Sequence, residues 1–403
     1  MTFHLIFNFL LMNILVVHNR YQFRGGEDEC YEDEVSLLRR NNHLINCHEK
    51  KNDSVSDLGP LNLAMKTLWS QNTFSSIRSA LKSKSYDLVH VHNFLPLVSP
   101  SIYYAAHSQN IPVVQTLHNY RLLCPNGLFL RDGQPCEDCL GKYIPWPGII
   151  HKCYRDNRLA TAAVASMISS HRLLSTWSKQ VDAYIVLTEF ARSKFVQGGI
   201  PKDKIFIKPN FVSNDTGVGN GAEQYAIFVG RLSKEKGLDT LIKAWTQFAI
   251  GLPLKIVGDG PLAKTVCQAA QSNSVIEFLG RRPLEEVYSL IGGATALIFP
   301  SEWYEGMPRV IIESFCKGTP VIASKIGAIE EIVDHQRTGL HFTPGNAEDL
   351  ARQIDWALSH ETELAAMRQA ARAEFEAKYT AEANYIRLME IYNAVTKRSS
   401  VAV

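Results

Sequence analysis

Short apolar runs recur along the chain between longer amphipathic stretches. In the first half they are NILVV (13–17), DLVHVH (87–92), PVVQTLH (112–118) and DAYIVL (182–187). In the second half they are YAIFVG (225–230), PLKIVG (253–258), VIEFLG (275–280), ATALIFP (294–300) and PVIAS (320–324). Runs this short, and apolar on both faces, suit strands buried within parallel sheets. Between them, LDTLIKAWTQFA (238–249) and AEDLARQIDWAL (347–358) carry apolar residues at helical spacing. Regular strand–helix alternation predicts an α/β chain with two Rossmann-like, doubly wound parallel-sheet domains. Their strand C-terminal edges would face a common cleft.

The boundaries follow from composition. PNFVSNDTGVGNGAEQ (209–224) is rich in Gly, Asn and Ser, so 210–224 reads as a linker or hinge between domains at 12–209 and 225–380. A further amphipathic helix is expected over 381–403. The apolar start MTFHLIFNFLLMNILVV has no cationic flank and no small-residue cleavage site, and is too short for a full membrane span. Residues 1–11 are therefore expected to be an upstream extension or loose tail, with Met12 directly before the first strand.

At 403 residues the chain exceeds the roughly 250–300 residues at which one core stops growing. Its 46% hydrophobic and 20% charged residues exclude wholesale disorder. A net charge of +2 gives no signature of a nucleic-acid binder. Eight cysteines are too few for a dense disulfide scaffold, and a cytoplasmic location is expected.

Candidate chemistry sits where strands of the second half end. FVGRLSKEKG (228–237) supplies Arg231 and Lys236, a guanidinium and an ammonium suited to a phosphate or diphosphate. Most charged loops are simply solvated, and this one alone decides nothing. VGDGPL (257–262) is a glycine turn that lets a ligand approach the backbone. SEWYEGMPRVIIESF (301–315) places Glu305 before a helix that Pro308 is expected to open as its first residue, and Glu313 within that helix. Backbone amides of Gly306, Met307, Arg309 and Val310 could then receive an anion. Carboxylates on either side make sense if the ligand carries sugar hydroxyls flanking its phosphates; the plainer alternative is a surface acid and an ordinary helix acid.

In order and spacing, VGRLSKEKGLDTLIKAW, VGDGPL, VIEFLG, the Glu305–Glu313 pair and SKIGAIEEIV resemble the retaining GT-B glycosyltransferases of family 4, over nearly all of the C-terminal half. VVHNRYQFRGGEDE and QTLHNYR extend the resemblance into the N-terminal half. The resemblance implies a nucleotide-sugar donor (UDP-, GDP- or ADP-linked) in the C-terminal domain and a glycan or lipid-linked acceptor in the N-terminal one. It implies that Arg231 and Lys236 grip the diphosphate, that Glu305 binds the transferred sugar and Glu313 the ribose, and that His118 lies near the reacting centre. Gly25 and Gly26 would let the first loop close over the donor phosphates.

A nucleoside diphosphate departs as an anion, so the chemistry needs cations and amide dipoles more than a strong acid. A glycosidase would instead need one carboxyl kept protonated beside the scissile bond. No Asp-x-Asp is placed for an essential metal, so metal-independent transfer is expected. A sugar-nucleotide epimerase of the same fold, and a non-catalytic nucleotide- or carbohydrate-binding protein, are the alternatives. Turnover that depends on an added acceptor separates the transferase from both.

Two features of the first half stand apart. HNYRLLCPNGLFLRDGQPCEDCLGKYIPWPGIIHKCY gathers Cys124, Cys136, Cys139 and Cys153 in an insertion at 121–153. CEDCLG has the form of a zinc knuckle, and a structural Cys₄ site is expected; buried thiols or a redox Cys-x-x-Cys are the alternatives. Between Lys142 and Lys179 lie Lys152, Arg155, Arg158 and Arg172 with Trp146, Trp177 and the run LATAAVASMISSHRLL. Cations and tryptophans beside an apolar face suit peripheral contact with the inner face of a membrane. A core helix of the first domain is the competing reading of the run.

Overall fold

The computed structural model describes residues 10–22, 25–52 and 59–401; the expected tail at 1–11 lies mostly outside these. Six strands form the first sheet: β1 (Asn13–Arg20), β2 (Leu44–Lys51), β3 (Leu88–Asn93), β4 (Val113–Thr116), β5 (Ala183–Val186) and β6 (Ile205–Ile207). Their order is β2-β1-β3-β4-β5-β6, parallel throughout. The second sheet comprises β7 (Ala226–Val229), β8 (Leu254–Val257), β9 (Ile276–Gly280), β10 (Ala296–Phe299), β11 (Val321–Ser324) and β12 (Gly339–Phe342). It runs β9-β8-β7-β10-β11-β12, again all parallel. Two doubly wound α/β units result, as the apolar pattern predicts.

Central strands such as β3, β4, β5 and β10 are buried at every residue, which is why they read as unbroken apolar runs. Strands β2, β6 and β12 escape that reading; all three are sheet edges, as is β9, which the run VIEFLG does reveal. LINCHEKK in β2 is mostly exposed or half-buried, and its charged end discourages further strand pairing.

The chain crosses between the domains twice. Residues 209–224 form a packed connection: Phe211 and Val212 are buried, and a Cβ at Gly219 would fall 2.2 Å from the Gly292 carbonyl oxygen. The final helix, Ala381–Val401, returns to the first domain. There Leu388, Met389, Tyr392 and Val395 share a core with Ile14, Val16, Leu38 and Leu88. Among the described residues, no helix is long and apolar enough to cross a membrane.

The run LATAAVASMISSHRLL is a core helix. Helix Arg158–Leu173 buries Thr161, Val164, Met167, Ile168 and His171, and Trp177 is 4% exposed. Arg172 donates to the carbonyls of Lys142 and Leu122, so this cation ties the insertion to the helix. Trp177 and Arg172 thus turn inward, which corrects the expectation for these two, while Leu159, Leu173 and Leu174 at the ends of the run stay exposed. Trp146, Tyr143, Ile144 and Ile150 stay more than half exposed.

Candidate active site

Both sheets reverse winding direction at a point where open α/β sheets bind ligands beyond their carboxyl ends. In the second sheet this point lies between β7 and β10. Strand β7 feeds the loop carrying Arg231 and Lys236, and β10 feeds the loop carrying Glu305. Gly237 makes the turn between that first loop and helix Leu238–Gln247 with φ +71°, and a Cβ there would sit 1.8 Å from the Pro300 carbonyl oxygen. Only glycine lets the two loops lie against each other in this way.

Glu305 is 6% exposed. Its Oε1 accepts from Lys236 Nζ at 2.6 Å, Ser301 Oγ at 2.8 Å and Trp303 Nε1 at 2.8 Å. Three donors on one oxygen fix the carboxylate and leave Oε2 as its remaining acceptor. Lys236 is thus held by Glu305, while Arg231 is exposed and forms no ion pair with a described residue.

Helix Arg309–Cys316 begins one residue later than expected, with Pro308 as its cap in extended conformation. Met307 is buried, its sulfur accepting from the Asn210 amide N–H at 3.2 Å and its carbonyl from Asn210 Nδ2 at 3.1 Å. Arg309 sends its side chain across the domain boundary: Nη1 is 2.6 Å from Asp33 Oδ2 and Nε 3.6 Å from Glu313 Oε1. Val310 lies in the first turn of the same helix. Glu313 is 7% exposed. Burial raises its carboxyl to about 7 despite Arg309, with Glu29 adding to the rise.

Gly306 touches the other domain, since a Cβ there would lie 2.8 Å from the His118 carbonyl oxygen. His118 Nε2 is 3.1 Å from His92 Nδ1, and His92 Nε2 is 3.2 Å from Glu34 Oε1. Burial, then His92, holds His118 well below the usual histidine range, and His92 falls to about 3. His118 is accordingly a neutral imidazole oriented from behind. It lines a cleft of about 240 Å³ with Asn119, Arg121, Tyr154 and Arg155.

Glu34, His90 and His92 place three ligand atoms within 4.8 Å of one another. Lys208 Nζ lies 2.8 Å from Glu34 Oε2, and His90 is already bonded to Tyr392 and Thr116. An ammonium therefore supplies the positive charge this cluster calls for. The sequence reading missed Glu34, His92 and Lys208. The available signal was His90 and His92, two residues apart and so on one face of a strand otherwise apolar.

Gly25 and Gly26 are exposed, and a Cβ at either would meet nothing within 4 Å. Gly25 has φ −135° and caps helix Gly26–Arg40, so nothing steric demands glycine at these positions. Residues 23–24 of the same loop lie outside the described residues.

Two facing doubly wound units, with a cation–carboxylate pair at the switch point of one and an oriented histidine on the other, define the GT-B architecture. The chain belongs to the group 1 glycosyltransferases. The family model "Glycosyl transferases group 1" matches residues 217–374, and that of "Glycosyltransferase Family 4" matches 48–216. An uncharacterized glycosyltransferase of Methanocaldococcus jannaschii is 29% identical over 51% of this chain and 58% of its own. The putative teichuronic acid biosynthesis glycosyltransferase TuaC of Bacillus subtilis is 31% identical over 44% of each chain. This chain thus spans about half the length of these sequence relatives. Among solved structures, Anabaena HepE in complex with UDP aligns at TM-score 0.68 and 18% identity, over 95% of this chain and 100% of that one. Sucrose-phosphate synthase from Thermosynechococcus elongatus aligns at 0.72 and 18%, over 96% and 100%.

Proposed function

We propose that this glycosyltransferase moves a hexosyl group from a nucleoside-diphosphate sugar to a glycan or lipid-linked acceptor with retention of configuration. Polysaccharide biosynthesis is the setting supported by its relatives. A UDP-sugar is the foremost donor, because HepE, alike in fold, was solved with UDP and with UDP-glucose. The observation that carries the reading is the Lys236–Glu305 pair, whose Glu305 loop approaches the backbone of His118 at Gly306.

In this reading Arg231 and Lys236 meet the charge growing on the departing diphosphate, where preorganised cations contribute most. Glu305 aims Lys236 and offers Oε2 to a hydroxyl of the transferred sugar. Glu313 accepts from the ribose. His118, being neutral, hydrogen-bonds the sugar without adding charge beside a cationic reacting centre. Two protein cations at the diphosphate supply charge of the kind a divalent metal would bring, so transfer proceeds without an essential catalytic metal. Attack on the face from which the nucleotide leaves gives retention, and no enzyme nucleophile is assigned.

The test pairs a thermal-shift panel of UDP-, GDP- and ADP-sugars with proton NMR of the product made on an added acceptor. Acceptor-dependent nucleotide release and an anomeric configuration matching the donor are expected. An inverted product would overturn retention; turnover without acceptor would point to an epimerase.

A further inference from the structure

We propose that Cys124, Cys136, Cys139 and Cys153 form a tetrahedral tetrathiolate site for a zinc ion, which braces the wall of the cleft on the His118 side.

Four cysteines spread over thirty positions of sequence line one small enclosed space, together with Asn126, Leu130, Pro147 and Gly148. All four are free thiols. Cys124 and Cys139 are buried, and Cys136 and Cys153 are half-buried. No other side chain with metal affinity lines that space except Asp138, which is bound by Arg131 at 2.6 Å. The donor set is therefore four soft sulfurs, a set that suits structural zinc.

Cys124 Sγ donates to Asn126 Oδ1 at 3.0 Å and Cys139 Sγ to the Pro145 carbonyl at 3.8 Å. Each thiol is thus held in direction by a local acceptor, and zinc binding would release its proton. Among the described residues, the ligand atoms within 4.8 Å of one another are those of Glu34, His90 and His92. No three of the four sulfurs therefore lie within 4.8 Å of one another, and zinc would draw them in to the about 3.8 Å spacing of a tetrahedron with 2.3 Å bonds.

The segment needs such a brace. Its regular structure is a two-residue-per-strand hairpin, Leu130–Arg131 with Gln134–Pro135, and the short helix Trp146–Ile150. Phe129, Asp132, Lys152, Arg155 and Asp156 all hold positive φ, a backbone region that side chains adopt only when their surroundings enforce it. A long irregular loop inside a compact domain is held by something other than its own hydrogen bonds.

What the brace holds is the cleft. Cys153 immediately precedes Tyr154 and Arg155, both of which line it. Arg121 lies over the Tyr154 ring at 4.9 Å. On its other flank the segment presents Phe129, fully buried, edge-on to Tyr304 at 6.4 Å, directly before Glu305. Four thiolates leave the metal no open position, so the ion is structural.

The test is metal analysis of the full chain purified without added zinc, with titration of native thiols. One zinc per chain is expected, with the four thiols protected until a chelator or denaturant is added. Cobalt(II) exchanged into the wild-type protein should give thiolate-to-cobalt charge-transfer absorption of a tetrahedral site. Cys136→Ser and Cys139→Ser should each abolish stoichiometric zinc, while Cys267→Ser retains it. If the serine variants fail to fold, the cobalt spectrum of the wild type still decides. Metal far below one per chain with four freely titratable thiols, or mass-spectrometric detection of disulfides among the four, would overturn the proposal. None of these readouts depends on transferase activity.

Discussion

The two halves of the candidate site are built differently. On the donor side, Arg231, Lys236, Glu305 and Glu313 come from two loops and one short helix, and the ties around Glu305 join only neighbouring loops: Ser301 and Trp303 are four and two residues from Glu305, and Lys236 reaches it from the adjoining loop. On the acceptor side His118 stands on a loop, but what orients it is assembled from afar. Glu34 comes from the first helix, His92 from β3 and Lys208 from just beyond β6. Local motifs make a site that tolerates change elsewhere in the chain. A buried network couples its site to the stability of the whole domain.

Breaking the buried network should therefore have the largest effect. Glu34 and Lys208 are each 4% exposed at the side chain, and removing one member of such a pair strands a charge, at a cost of about 3–5 kcal/mol. Lys208→Met is expected to lower stability by that amount in denaturant titration. Replacing Glu34 and Lys208 together by apolar residues should cost much less. A double-variant loss equal to the sum of the two single losses would show that the pair is not coupled. The pH dependence has a definite sign. Burial would raise the Glu34 carboxyl, but Lys208, then His90 and His92, hold it well below its ordinary 4.5. Its contribution is thus fully present above about pH 4.5 and lost as pH falls further.

On the donor side, Lys236→Ala and Glu305→Gln should each lower kcat by about 10²–10³ with little loss of stability. Because Nζ and Oε1 are 2.6 Å apart, the double variant should lose far less than the product of the single losses. Full multiplicative losses in kcat would separate their roles; wild-type-like rates in both would remove these residues from the mechanism.

The same contrast explains how much was legible in the sequence. Arg231, Lys236 and Glu305 each sit in a contiguous motif just after an apolar run, so pattern places them at one sheet edge; the family resemblance supplies their roles and that of Glu313 in the following helix. Glu34, His92 and Lys208 meet only through tertiary packing; the His90–His92 spacing marks one polar strand face but does not say what packs on it. Among strands, β2 and β6 do not stand out as apolar runs because these edge strands are largely half-buried or exposed and need not be apolar on both faces; β12, although mostly buried, is only four residues long and carries Gly339 and His341. The proline before Arg309 shows the limit at residue level: sequence placed it inside the helix, and the structure places it one position outside.

Glu313 offers a smaller effect that sharpens the donor side. Its carboxyl sits at about 7, raised above the ordinary 4.5 first by burial. Between those values the folded state binds the extra proton. This group's stabilising contribution is therefore fully present below about pH 4.5 and lost as pH rises through about 7. Ligand binding runs the other way if the ribose requires the ionised form. UDP-glucose affinity should then rise by up to about tenfold from pH 6 to pH 8, as the ionised fraction grows. Calorimetric titration of the wild type and Glu313→Gln checks this; an equal pH slope in both would assign the dependence elsewhere.

The smallest expected effect concerns the outer face of the acceptor half. With Trp177 and Arg172 turned inward, the exposed apolar side chains of this face are Trp146, Tyr143, Ile144 and Ile150, with Leu159, Leu173 and Leu174 at the ends of the following helix; Lys142 lies over the Trp146 ring at 5.7 Å, and Lys152 and Arg158 are exposed nearby in sequence. We propose that this patch rests on an anionic membrane surface and brings the cleft to a lipid-linked acceptor. Each cation near such a surface contributes about 1 kcal/mol, screened over a Debye length of about 8 Å at physiological salt. Sedimentation with vesicles containing anionic lipid should therefore show binding at low salt that falls as salt rises. Lys142→Glu should weaken it by about tenfold or more, since the change removes one attraction and adds a repulsion. Trp146→Ser should weaken binding at every salt concentration, because burial of the ring is not screened. If neither substitution changes sedimentation, the patch is not the contact. If the protein also transfers sugar efficiently to a soluble glycan, the acceptor half works without a membrane.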